Sequence, residues 1–421
     1  MSQSLVVETH ASVRPVTYAN RSARNRWVAT LLRLCSGLLS LWLVSCTGGR
    51  EAAPAIPIGL IAPLSGSLAA AGQAIQRGML LALDEINREG GVLGRPLTLV
   101  VRDVDNDPPA GVAALQELVH QHGIVAVFTG TFSPVILAQL DAIHALHLPL
   151  INPLGSVTGI VKNGRRPNYA FRIAMSDEYA NEFLVRYALE VVGARHPGII
   201  ADTTAWGDSN VAGLTTWLAQ LGASTAGVER FDQGETAMHH ALSRLRAAGA
   251  DGLLLVANAP EAAAIIRGMV VLGWKVPVIS HSGPSVGRFV EQAGIANAEG
   301  VLTLQTFSFV GPLSPKAEAV LRTYHARFGT RRVEEVSVPI AVASSYDGVH
   351  LLARAIRQAG STEGAKIREA LEHLDPYDGL IKRYAPAFTA QYHDALRAED
   401  YLMAVWREGR LVPAAQPKLP R

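Results

Sequence analysis

The sequence predicts an α/β chain of two similar lobes, each a doubly wound parallel sheet. Three observations carry this. Ile56 to Asn87 (IPIGLIAPLSGSLAAAGQAIQRGMLLALDEIN) reads as a buried strand, a small-residue turn and an amphipathic helix. Short apolar strands then alternate with longer helical stretches as far as Asn152. The alternation begins again near Tyr169 with units of similar length, so a second lobe and a cleft between the two are expected.

In the opening unit, Ile58, Leu60 and Ile61 have no polar face between them, as in a parallel strand covered on both sides. Pro63, Ser65, Gly66 and Ser67 break the strand. Ile75, Met79, Leu83 and Ile86 then recur at helical spacing. Small ligands bind at such strand carboxyl ends, close to helix amino ends. Leu97 to Val104 is the second strand, and Pro108-Pro109 opens a helix to about His120. Ile124 to Thr129 is the third strand, Pro134 to His147 a helix and Leu148 to Asn152 the fourth strand.

Tyr169 to Ala174 reads as a strand leading to the second lobe. Asp177 to Val192 is helical, capped by Ser176 or Asp177. Strands follow at Pro197 to Asp202, Val228 to Phe231, Gly252 to Ala257 and Val276 to His281. Helices lie between them: one from Trp206-Gly207 to Leu221, one from Thr236 to Ala248, one from Pro260. The last third departs from simple alternation. Gly300 to Thr306 reads as a strand returning toward the first lobe. Ser314 to Phe328, Pro339 to Gln358 and Glu363 to Leu374 read as helices. Gly379 to Arg383 and Tyr401 to Trp406 read as late strands, with a turn at Glu408-Gly409.

Hydrophobic residues make up 49% and charged residues 18% of 421 residues, enough for a two-domain globular chain. The formal charge of +2 and the lack of a long basic run after residue 50 give no footprint for nucleic acid. The only cysteines, Cys35 and Cys46, precede the globular region, which therefore has no disulfide or thiolate metal site of its own.

Residues 1–45 read as a signal peptide of lipoprotein type. Leu31 to Val44 is a short apolar core, below the roughly 20 apolar residues of a spanning helix. Leu43-Val44-Ser45-Cys46 after it resembles a bacterial lipobox, which implies cleavage before Cys46 and a lipid on its sulfur. Residues 46–55 are a small-residue linker.

Motifs of catalysis and cofactor binding are sparse. No phosphate loop ending in Lys-Ser or Lys-Thr occurs, no G-x-G-x-x-G follows a strand, and H-E-x-x-H is absent. His144 and His147 are three apart on a helix but lack a third ligand, so a solvated face is expected. His239 and His240 are adjacent and point to different faces. His281 and Ser282 are neighbours at a strand end and are expected to point oppositely, a poor catalytic pair. No catalytic residue, metal site or cofactor is assigned, and an enzyme is not expected.

The region from Ile56 to about Trp406 resembles the type I periplasmic binding proteins, closest to their leucine/isoleucine/valine-binding group. Ile58 to Gly66, Gly72 with Arg77-Gly78, and Ala82 to Gly94 match the family's opening. Arg102 to Pro108, Ile151-Asn152-Pro153, Phe171-Arg172, Ala205-Trp206-Gly207 and Glu299-Gly300-Val301 match in order along the chain. The resemblance implies two lobes joined by three crossing strands and a small solute held in the cleft. It divides the chain into lobe 1 at 56–172 and 306–375, lobe 2 at 173–305 and 376–412, and a tail at 413–421.

Position by position, it implies that Phe132 and Ser133 face the ligand and that Leu154, Gly155 and Ser156 form the loop that receives a carboxylate. The hydroxyls of Ser133 and Ser156 and N–H groups near Gly155 suit that role; Ser156 as a helix cap is the plainer reading. Trp206 stands where the family has tyrosine and covers the ligand as an apolar lid. Asn258 and Ser282 stand where amino-acid binders place an aromatic residue and an ammonium-pairing acid. Because Ser282 carries no charge, an amino acid, a carboxylate and an amide remain open as solutes. Asp202 and Glu261 are displaced candidates for the acid. The implied partners are an ABC permease and its ATPases, with the protein lipid-anchored on the periplasmic or cell-surface side of a bacterial membrane. A ligand-sensing subunit for a signalling partner is the alternative.

Overall fold

The computed structural model describes residues 54–417 of the 421. The signal segment 1–45, Cys46 and the end of the tail lie outside the described residues. No helix among the described residues is long and apolar enough to cross a membrane.

The first sheet contains β1 (Ile56–Ala62), β2 (Leu97–Asp103), β3 (Val127–Thr129), β4 (Leu150–Asn152) and β5 (Ala170–Arg172), in spatial order β2-β1-β3-β4-β5 and parallel throughout. Three helices connect the first four strands: α1 (Ala69–Arg88), α2 (Pro108–His122) and α3 (Ser133–Ala145). Ile56, Ile58 and Leu60 are fully buried, as a strand covered on both faces requires. α2 starts as its sequence indicates, with Asp107 accepting the Ala110 N–H (3.0 Å) and proline in the first turn.

The chain then passes to a second sheet. α4 (Asp177–Arg186) runs into a wider turn at Tyr187–Val192. β6 (Gly198–Asp202), α5 (Ala205–Gln220), β7 (Gly227–Phe231), α6 (His239–Ala247), β8 (Leu253–Val256), α7 (Ala259–Val271) and β9 (Val278–Ser280) follow. Two short helices, α8 (Phe289–Ala293) and α9 (Ile295–Ala298), lead to β10 (Leu302–Gln305). The chain returns to the first sheet, where α10 (Pro315–Phe328), α11 (Pro339–Ala359) and α12 (Gly364–Leu371) complete the lobe. α11 lies so close to α1 that a Cβ on Gly78 would stand 2.3 Å from the Val342 carbonyl oxygen. After a small hairpin, β11 (Tyr377–Asp378) with β12 (Arg383–Tyr384), the chain crosses a third time to β13 (Leu402–Arg407) and β14 (Arg410–Pro413).

The second sheet has the order β14-β13-β10-β9-β8-β6-β7. It is not wholly parallel: β13 pairs antiparallel with β10 and with β14. The two-residue link Glu408-Gly409 has positive φ at both positions (49° and 75°), the backbone a tight hairpin needs, so β14 folds back where the sequence reading stopped at a turn. Of the strand expected at Gly379 to Arg383, Gly379 to Lys382 is instead the turn of the β11–β12 hairpin and only Arg383 is strand. The buried Asp347 carboxylate takes the N–H groups of Leu380 (2.6 Å) and Ile381 (2.9 Å), which a ladder would need.

Arg172 ties the crossings together. It is fully buried, and its Nε donates to Asp394 Oδ1 (2.5 Å) on the third crossing. Its other nitrogens donate to the carbonyls of Ser156 (2.7 Å) and Val157 (2.9 Å) and to Ser176 Oγ (2.8 Å). Ser176 stands at the N-cap of α4, but its side chain is turned to Arg172 and caps nothing.

Candidate functional site

The strand ends of both sheets meet at a cleft. Phe132 precedes α3 and Ser133 is its first residue; both line one wall. Leu154, Gly155 and Ser156 follow β4 on the same wall. From the second sheet come Trp206 in the first turn of α5, Asn258 at the N-cap of α7, and Ser282 after β9. All eight positions expected to face a ligand thus line one cleft.

The loop after β4 is held from within. The Asn152 amide accepts the N–H of Leu154 (3.1 Å) and Gly155 (2.8 Å) and donates to the Gly155 carbonyl (2.7 Å). This corrects one expectation: the Leu154 and Gly155 N–H groups are spent inside the loop and do not point to a ligand. The side chains of Ser133 and Ser156 line the same wall, both nearly buried, and the Ser156 hydroxyl also bears on the Asp177 carboxylate behind it. Ser156 is not a helix cap; its carbonyl accepts the Asp177 N–H (2.8 Å). Asn258 makes no side-chain cap bond.

On the opposite wall, a Cβ on Gly207 would lie 1.8 Å from the Asp202 carbonyl oxygen, so only glycine lets α5 begin this close to β6. That approach sets Trp206 at the cleft. Its Nε1 is buried without a partner, as is Thr131 Oγ1 next to Phe132. Asp202 also lines the cleft, but Oδ1 accepts from Thr204 N (3.1 Å), Thr204 Oγ1 (2.7 Å) and Gly207 N (3.0 Å). Burial raises its pKa, and the Thr204 and Gly207 bonds counter only part of that. Asp202 is thus a turn-forming acid. Glu261 does not line the cleft; its Oε1 accepts the Gly234 N–H (2.9 Å).

His281 and Ser282 overturn a second expectation. The strand ends at Ser280, and Ser282 has helical backbone angles (φ −64°, ψ −12°), so strand alternation no longer applies. Both side chains reach the cleft, with His281 Nδ1 and Ser282 Oγ 3.1 Å apart. A G-x-S-x-G spacing, expected to be absent, does occur at Gly283 to Gly287. There the Ser285 hydroxyl donates to the Ser282 carbonyl (2.7 Å) and accepts from Gln305 Nε2 (2.8 Å), with no imidazole on it. A third correction concerns His144, expected on a solvated face. It is buried, with Nδ1 on the Leu140 carbonyl (2.7 Å) and the Tyr169 N–H on Nε2 (3.4 Å), so it orders the turn before β5. Among the described residues, no group of three or more His, Cys, Asp or Glu is placed to hold a metal.

A family model described as periplasmic binding protein matches residues 55–410. The chain belongs to this family. Membership implies a small-molecule solute, ABC transporter partners and an extracytoplasmic location. Two relatives are a Leu/Ile/Val-binding protein, BraC3, of Rhizobium johnstonii and Leu/Ile/Val-binding protein homolog 2 of Brucella abortus. The first is 24% identical over 85% of this chain and 94% of its own length, the second 28% over 84% and 91%. Among solved structures, a type 1 periplasmic binding protein of Bordetella pertussis superposes with a TM-score of 0.78 at 24% identity, over 86% of this chain and all of its own. The substrate-binding protein LivJ of Streptococcus pneumoniae, solved with isoleucine, gives 0.74 at 24% identity, over 85% and 97%. A solute-binding protein of Rhodopseudomonas palustris, solved with 4-hydroxybenzoate, gives 0.73 at 17% identity, over 86% and 95%. These likenesses show the shared two-lobed fold.

His281, Thr131 and Gln233 line the periplasmic binding protein cleft without having been singled out as ligand-facing. Thr131 adjoins Phe132 and His281 adjoins Ser282, so chain neighbourhood pointed to both. Nothing local pointed to Gln233, which reaches the cleft mouth from the loop after β7.

Proposed function

We propose that this chain is the solute-binding component of an ABC importer, anchored outside the cytoplasm through a lipid on Cys46, and that it carries a small organic solute with a carboxylate. The ligand lies between Phe132, Ser133, Leu154, Gly155 and Ser156 on one wall and Trp206, Asn258 and Ser282 on the other. One observation supports this most: two buried donors of the lining, Thr131 Oγ1 and Trp206 Nε1, have no partner. A buried donor left unpaired costs about 1–3 kcal/mol, and an anionic acceptor entering the cleft removes that cost. One named relative is a Leu/Ile/Val-binding protein and the other a homolog of one, and solved neighbours hold isoleucine or 4-hydroxybenzoate. Both solutes are small carboxylates.

The chain carries out no chemistry on its solute. The Ser282 N–H donates to His281 Nδ1 (2.8 Å), so the lone pair that would deprotonate the Ser282 hydroxyl is already engaged by backbone. A thermal-shift screen over amino acids, aliphatic and aromatic carboxylates and amides tests the assignment. A solute at 100 times its Kd adds about 2.7 kcal/mol of stability and raises Tm by several degrees. Ser156→Ala and Trp206→Ala should diminish that rise; a rise untouched by both sinks the cleft assignment. Cys46→Ala should release the exported protein from the membrane fraction, and retention there refutes the anchor.

A further inference from the structure

Behind the cleft wall lies a carboxylate that nothing in the mouth accounts for. Asp177, the first residue of α4, is fully buried and does not itself line the cleft. Neither of its oxygens has an aligned hydrogen-bond partner. Three side chains face it: His281, whose Nε2 stands 3.3 Å from Asp177 Oδ1, and the hydroxyls of Ser156 and Ser209. Because the Ser282 N–H already points at Nδ1, the ring proton sits on Nε2 and faces the acid. Burial by itself would raise the Asp177 pKa, but the imidazole, with the Ser156 and Ser209 hydroxyls, outweighs it and holds the carboxyl below its ordinary value. Nδ1 is thus engaged by backbone and Nε2, without an aligned partner, is turned to the acid, so the ring presents carbon to the cleft. Trp206 meets that ring edge-on at 5.2 Å, with 84° between the planes.

Resting on the solute-binding reading above, we propose that His281 screens Asp177 from the cleft and thereby selects carboxylates that carry no α-ammonium group. An amino acid needs an acceptor for its ammonium. Asp202 is the one acidic residue of the lining, and three donors hold its Oδ1 in its own turn, leaving only Oδ2; Asp177 is covered. An ammonium desolvated without a carboxylate partner loses affinity heavily. The perpendicular Trp206 and His281 rings instead form an aromatic corner that accepts an apolar or planar body beside the carboxylate.

The test uses pairs of solutes that differ only by the amine: leucine against 4-methylpentanoate, and phenylalanine against 3-phenylpropanoate. Calorimetric titration of the purified protein is expected to show the amine-free member bound on the order of 100-fold more tightly in at least one pair. His281→Ala uncovers Asp177 and should narrow or invert that preference, with amino-acid binding lost again in the double variant with Asp177→Asn. Because His281→Ala leaves a buried acid exposed to its neighbours, Asp177→Asn alone is the second variant. It should fold and keep the carboxylate affinity within about threefold, since a screened acid touches no solute. Equal or tighter binding of the amino acids by the wild type overturns the screening proposal. So does loss of amino-acid binding on Asp177→Asn alone, which would mean that the acid is reached directly. Failure of the wild type to bind any of the four while another class of solute does overturns both this inference and the carboxylate reading on which it rests.

Discussion

Single side chains decide most of what the cleft can hold. Ser156 and Trp206 stand on opposite walls, one as a hydroxyl donor and one as an indole with a free N–H. Each substitution to alanine should weaken solute binding about 5- to 100-fold by calorimetry, the range for losing one hydrogen bond or an aromatic contact. Arg172 acts one layer back. It holds the carbonyls of Ser156 and Val157 and pairs with buried Asp394, so Arg172→Ala strands a buried carboxylate. That change should cost about 3–5 kcal/mol in urea unfolding. Glu85, far from the cleft, sets an acid limit on stability. Tyr346 donates to it (2.5 Å), and His350 approaches to 3.8 Å. The His350 interaction first, then the Tyr346 bond, against burial, lowers its pKa from 4.5 to about 2. A carboxyl lowered in the folded state stabilises fully above its unfolded pKa and loses that contribution as pH falls toward the folded one. The Tm gap between wild type and Glu85→Gln, read by circular dichroism, should therefore be constant near neutrality, shrink below about 4.5 and close near 2. A gap that persists at the acid end rejects the pair as its source.

Elements matter here chiefly through how they start. The turn into α5 depends on Gly207, with 1.8 Å available between a Cβ and the Asp202 carbonyl oxygen. Gly207→Ala must push the first turn of α5 outward, and Trp206 with it. It should destabilise by about 1–3 kcal/mol and weaken solute binding, whereas Gly222→Ala, at a helix end with open space but φ of +72°, should cost stability through backbone strain and leave binding unchanged. The helical periodicity of α1, α10 and α11 was legible because amphipathic faces repeat over many residues. The hairpin at Tyr377 to Tyr384 was not, since a remote acid, Asp347, captures the N–H groups of its turn. The same limit applied at β9: an alternation rule holds only within a strand, and the strand stops one residue before His281.

At the scale of the molecule, the two sheets approach each other through few direct bonds. Asn106, after β2, donates to Gln233, after β7, at 2.5 Å across the mouth. Closing the lobes shifts a two-state equilibrium only by what differs between the states, and this bond exists only when they are close. Asn106→Ala should weaken solute binding about 2- to 10-fold while leaving Tm without solute nearly unchanged; small-angle scattering should report a larger radius for the variant than for the wild type. An unchanged affinity would show that the bond does not bear on closure. From sequence alone came the alternation of strands and helices, the second set of units that makes a second lobe, and the positions from Phe132 to Ser282 that face the gap. The alternation and the second set of units follow from local chemistry, since apolar runs, turn residues and helix starts act over a few residues; the cleft positions came from the resemblance to a known family. What the tertiary structure alone decided is which of those groups remain free. The Asn152 side chain uses up the Leu154 and Gly155 N–H groups of the carboxylate loop, one oxygen of Asp202 is spent on its own turn, and His281 is brought over Asp177 from a segment about a hundred residues away. Whether a polar atom is spent or open depends on what packs against it, and chain neighbours do not record that.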